Sequence, residues 1–163
     1  MFARSTGALI FIAAIGSGLV GGVFFAFSSF VMPALARIRP EHGIAAMQSI
    51  NLTVINPGFM LALFGTASLG LVLGIGAITR WGQPGQAYVV AAGILYVLGS
   101  AGVTMVCNVP LNDALAAVQG TSPDGTTLWA RFLKDWTFWN HVRTVASTAA
   151  CGLYIAALAT PQA

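Results

Sequence analysis

Charge is what this chain has least of. Seven basic and four acidic residues make up 7% of 163, against ~25% in soluble globular domains, which excludes an ordinary water-facing surface. Residues 5–36, 42–79, 81–112 and 144–163 carry no charge at all. Each stretch reaches the ~20 residues a helix needs to cross a hydrocarbon layer. With only Cys107 and Cys151, in neither CxxC nor zinc-finger spacing, a disulfide framework is excluded and two buried free thiols are expected. The net charge of +3 is dispersed, with no Lys/Arg run, so nucleic acid is not an expected partner. Glycine-rich phosphate loops, a Ser-His-Asp arrangement and carboxylates paired at helical spacing are missing too.

What the chain does have is apolar length: 57% of residues are hydrophobic and the mean hydropathy is +0.83. The expectation is all-α, an integral membrane four-helix bundle forming a single domain over residues 1–163, with spans at about 7–32, 57–78, 88–109 and 136–159. Arg4 and Ala34-Leu-Ala36 resemble a signal peptide and its cleavage site, but the apolar run from Gly7 far exceeds the ~7–15 residues of a signal core. The first span is therefore read as retained. Gly18 and Gly22, like Gly70 and Gly74, are spaced to let another helix approach closely. They serve packing inside the bundle or, as the alternative, a homo-oligomer.

The polar residues are segregated. All five asparagines, all four acids and both histidines fall in residues 41–56 and 108–143, at the end of the bundle away from the termini. Arg37, Arg39, Arg131 and Lys134 lie there, against Arg4 and Arg80 on the terminal side. That asymmetry favours a cytoplasmic polar end, with the termini outside, in a bacterial inner membrane.

The fourth span carries the sharpest signal. At ~100° per residue, Trp136, Trp139, Asn140, Arg143, Thr144, Ser147, Thr148 and Cys151 form one arc, with His141 at its edge. Arg143 is the expensive residue, at roughly 2.5–3.5 kcal/mol for a central arginine. Asp113 and Asp135 are its candidate counter-ions. It either pins helix ends or holds a ligand. His141 is the candidate proton shuttle, because imidazole titrates close to neutrality, and a hydrogen-bonded packing role is the alternative. Asn108, Asn112 and Asp113 leave the third span where Gln48, Asn51 and Asn56 arrive from another helix. Such amides bind ligand oxygens or cap helix ends. Trp129, Phe132 and Phe138 read as an interfacial belt, while Trp136 and Trp139 could wall a flat pocket. Metal signals are poor: Met105, Cys107 and His141 could meet as a copper site, or His141 could ligate haem, but no spacing requires either.

Phe24-Phe-Ala-Phe-Ser-Ser-Phe-Val-Met-Pro33, Met47-Gln-Ser-Ile-Asn51 with Asn56-Pro57, Asn108-Val-Pro-Leu-Asn112 and Trp136-Thr-Phe-Trp-Asn-His-Val-Arg-Thr144 together resemble the motifs of the anthrone-oxygenase-like integral membrane family. Its bacterial members are largely a domain family of unknown function. The resemblance covers nearly the whole chain. It implies a membrane oxidoreductase, a monooxygenase that uses O₂ to oxidise a flat hydrophobic aromatic or quinone-like substrate, with no metal or organic cofactor required. On that reading His141, Arg143 and Asn140 are catalytic. Asn108, Asn112, Asp113, Asn56, Gln48, Asn51, Trp136 and Trp139 bind the substrate. The partners are then a hydrophobic small molecule and membrane lipid. The alternatives are a non-catalytic carrier for a hydrophobic ligand or metal, and an assembly partner of another membrane protein.

Overall fold

A computed structural model describes residues 2–161, with the side chain of Arg4 outside the described part. The chain is all helix, with no strand among the described residues. Four helices are long and apolar enough to cross a membrane: α1 (Thr6–Leu35), α3 (Pro57–Ile78), α4 (Gln86–Ala116) and α5 (Pro123–Ala159). A fifth, α2 (Pro40–Thr53), joins α1 to α3 at the polar end. In the bundle α1 packs along α5, α3 along α4, and α4 along α5.

Local chemistry sets the helix boundaries. Asn56 is extended (φ −126°, ψ 156°) and its side chain accepts from the Phe59 amide at 3.0 Å, while Pro57 occupies the first turn. This is an N-cap followed by a residue with no amide to waste. Ser122 starts α5 in the same way, accepting from the Gly125 amide at 3.0 Å ahead of Pro123. Between α3 and α4 the chain reverses through Gly82 and Gly85, both at positive φ, where a side chain would be strained.

α5 differs from its expected extent. It is continuous for 37 residues, roughly 55 Å at ~1.5 Å per residue, well beyond the ~30 Å hydrocarbon layer. Its first turns stand clear of the span and build a second core. Trp129, Phe132 and Trp136 are buried there with Met32, Ile44, Met47 and Leu115. The rings stack along the helix, with centroids 5.6 and 5.8 Å apart at 15° and 19°. Trp129 and Phe132 are thus core residues rather than an interfacial belt, whereas Phe138 is exposed.

The spans also leave regular α geometry. α3 is π-helical over Leu61–Gly65 and α4 over Leu95–Gly102 with no proline close behind, and two further π turns run over Phe27–Val31 in α1 and Thr104–Asn108 in α4. Pro33 and Pro110 follow these last two turns. A proline ring clashes with the carbonyl four residues back, here Ser29 and Val106, and the preceding turn widens to accommodate it.

Glycines set how closely the helices approach. A Cβ on Gly93 would come within 2.8 Å of the Gly70 carbonyl oxygen, so α3 and α4 cross in close backbone contact. Gly18 faces Cys151 within the bundle, while Gly22 and Gly74 have nothing within 4 Å.

Candidate functional site

Trp136, Asn140, Arg143 and Ser147 lie along one face of α5, and all four are buried; Arg143 is 4% exposed. Asn140 is the hub of the group. Its amide nitrogen donates to the Phe24 carbonyl and to Ser28 Oγ, both at 2.7 Å. Because the Phe24 carbonyl can only accept, the orientation of the amide is determined. Its oxygen is left facing Arg143, whose Nη2 donates to it at 2.7 Å. Arg143 Nη1 donates to Thr104 Oγ1 at 3.2 Å. The guanidinium carbon lies 4.1 Å from the centroid of the Phe24 ring and 5.0 Å from that of the Trp136 ring. Hydrogen bonds to a charged group contribute ~1.5–3 kcal/mol each and desolvated ring faces ~2 kcal/mol. Together these offset the insertion cost of the arginine.

The expected counter-ions are elsewhere. Asp135 pairs with Arg131 at 3.1 Å and Asp113 is exposed. Among the described residues no carboxylate pairs with Arg143. Its Nε is buried and has no hydrogen-bond partner.

Arg143 forms part of the wall of a cavity of ≈ 290 Å³, close to the lower end of the ~300–1,000 Å³ typical of small-molecule sites. Phe24, Phe27, Phe59 and Trp136 supply aromatic walls, α2 contributes Met47, Ile50 and Asn51, and Val54 follows at its end. Apart from Arg143, the polar lining is Asn51, Thr104 and Asn112. Ile55, Phe64 and Met105 belong to the lining and are also exposed. The cavity therefore opens on the apolar flank of the bundle, beside α3 and α4.

The sequence-predicted residues divide into three groups. Arg143, Asn51, Asn112 and Trp136 line the cavity. Asn140, Asn108 and Gln48 act behind it. Asn108 is fully buried and donates to the Trp136 carbonyl at 3.2 Å, while Trp136 Nε1 donates to Asn112 Oδ1 at 2.8 Å. Both amides thus hold the tryptophan wall. Gln48 donates to the Leu115 and Val118 carbonyls at 2.8 and 3.1 Å, tying α2 to the end of α4. The third group lies outside. Asn56 is spent on its cap, Asp113 and His141 are exposed, and Trp139 packs edge-on against Phe138. None of these four lines the cavity. His141 sits at the margin of the polar arc, and the helix rotation turns that margin outward.

Thr104 and Ser28 were not anticipated. Each lies in a widened turn ahead of an intramembrane proline, and each meets the Arg143–Asn140 pair. A hydroxyl four to six residues before such a proline was the available signal. As for metals, no three His, Cys, Asp or Glu side chains gather among the described residues.

A family model described as anthrone oxygenase matches residues 59–153 of the chain. That stretch includes Thr104, Asn108, Asn112, Trp136, Asn140 and Arg143. No curated protein and no solved structure matches.

Proposed function

We propose, from the premise that the chain belongs to the anthrone oxygenase family, that it oxidises a flat hydrophobic aromatic ketone with O₂ in the cavity beside Arg143. The observation that carries this reading is the state of Arg143: a buried cation with no carboxylate partner among the described residues and an unpaired Nε, on the wall of a largely apolar chamber. Such a group favours a ligand whose oxygen carries negative charge. An anthrone suits it. The molecule partitions into the bilayer, enters past Ile55, Phe64 and Met105, and stacks between aromatic walls. Its enol tautomer is a phenol-like acid, and Arg143 stabilises the anion.

Among the described residues, Arg143 is the only titratable side chain lining the cavity. The proton therefore leaves to water at the polar end, and the site works by holding the anion rather than by supplying a base. His141 has no part in this scheme. The enolate carbon gives an electron to O₂, and the radical pair closes a carbon–oxygen bond. The resulting peroxide anion takes a proton back from water, and the hydroperoxide so formed loses water from the same carbon. One oxygen atom ends in the new carbonyl and the other in water. The substrate anion supplies the electrons, so the route needs no metal or organic cofactor. The setting is the bacterial inner membrane, and Arg37, Arg39, Arg131 and Lys134 support a cytoplasmic polar end.

The test is oxygen uptake and anthraquinone absorbance with an anthrone and purified protein in nanodiscs, against heat-inactivated protein as the autoxidation control. Arg143→Met is expected to lower turnover by ~10²–10³, the effect of removing one oxyanion donor, with Arg143→Lys between. Undiminished turnover by R143M removes the reading.

A further inference from the structure

We infer that Asn51 reads a second oxygen on the substrate and is a specificity-determining residue of the cavity; this rests on the reading of Arg143 given above. Two residues of the cavity wall keep a buried donor with no acceptor within the protein. One donor is Arg143 Nε from α5, and the other is Asn51 Nδ2 from α2. Elsewhere in the lining Thr104 Oγ1 is engaged with Arg143 and the Ser100 carbonyl, and Asn112 Oδ1 with Trp136.

Of the five asparagines, Asn51 is the one whose buried amide nitrogen lacks an acceptor. Asn56, Asn108 and Asn140 each donate to a backbone carbonyl, and the Asn112 nitrogen is not among the buried, unpartnered atoms. An unpaired buried donor is costly and uncommon. The helix that carries Asn51 is also firmly held. Three residues earlier on α2, Gln48 anchors the helix to the Leu115 and Val118 carbonyls, and Ile44 and Met47 are sealed into the aromatic core. Rotating α2 to wet Asn51 would break both attachments.

The two donors come from different helices, so one ligand atom bonded to Arg143 leaves Asn51 unpaired. A ring system that satisfies the whole cavity carries its anionic oxygen at Arg143 and a hydroxyl, alkoxyl or carbonyl oxygen at Asn51. A ring without the second oxygen is disfavoured, because a site built to hydrogen-bond a substrate group discriminates against the analogue that lacks it. Asn51 lies outside the stretch matched by the family model, residues 59–153.

The experiment compares wild type with Asn51→Leu in nanodiscs, using the parent anthrone and a ring-dihydroxylated anthrone as probes. In wild type the dihydroxylated probe is expected to show a KM about tenfold below that of the parent, the size of one net hydrogen bond. N51L should erase that preference by raising KM for the dihydroxylated probe about tenfold more than it raises KM for the parent. Asn51→Ser serves as the second variant should N51L fold poorly. Quenching of tryptophan fluorescence on binding reports the same comparison without turnover. Equal effects of N51L on both probes, or no preference in wild type, overturn the inference. Arg143-dependent turnover of both probes would survive that result. Loss of Arg143 dependence is the separate failure of the parent reading.

Discussion

Asn140 holds Arg143, and the direction of that hold is determined by α1. The Asn140 amide nitrogen is committed to the Phe24 carbonyl and Ser28 Oγ at 2.7 Å, so only its oxygen can meet the guanidinium, also at 2.7 Å. The relationship joins α1 and α5 and makes Asn140 a positioning residue rather than a ligand contact.

Replacing Asn140 with Leu should therefore cost more than a surface change. It strands a buried cation and the Phe24 carbonyl together, a defect of roughly 3 kcal/mol. Thermal unfolding in mild detergent should show a clear drop, accompanied by loss of turnover. A melting curve unchanged from wild type would mean the pair contributes nothing to holding the helices together.

Trp136 separates two contributions. Trp136→Phe keeps an aromatic wall beside Arg143 but removes the donor to Asn112, and about 1 kcal/mol of stability should go with that bond. Trp136→Ala removes the wall and the stack with Phe132, at ~3–5 kcal/mol, and ligand affinity should go with it. Chemical denaturation and ligand titration on both variants test the ordering.

His141→Ala should leave turnover within about twofold of wild type, since the side chain is exposed and lines no part of the cavity; surface changes away from a site are usually within ~0.5 kcal/mol. A tenfold fall in kcat would instead locate the proton acceptor at His141 and reinstate base catalysis.

Met105 guards the apolar rim. Met105→Trp should slow entry from the bilayer and raise KM by roughly tenfold, equivalent to ~1.4 kcal/mol, while leaving kcat alone. Steady-state kinetics in nanodiscs resolve the two. An effect on kcat alone would mean the bulk reaches the reacting atoms rather than the doorway.

Much of the architecture was legible from residue patterns because the bilayer imposes it. A charge in lipid is costly and a backbone there must be helical, so the charge-free stretches announced the four spans. The arc from Trp136 to Cys151 likewise announced which side of α5 is occupied. The roles within that arc were less accessible. Asn108 looked like a ligand contact and instead holds Trp136, while Asn112 lines the cavity and also accepts from Trp136. Asn56 looked like part of the site and is a helix cap. Each amide has the same composition in either role, and only its neighbours distinguish them.

Residue order alone determined a four-span helical bundle with a polar end, and singled out Arg143 as the side chain needing an explanation. Tertiary structure decided what Arg143 faces, that Asn51 is left unspent, and that His141 points away. The reason is distance along the chain. Asn140 meets Phe24 across 116 residues and Arg143 meets Thr104 across 39. Helical periodicity says which side of a helix a residue occupies, never what stands opposite. Where prolines widen α1 and α4, even the periodicity shifts, and that is where Ser28 and Thr104 enter the site.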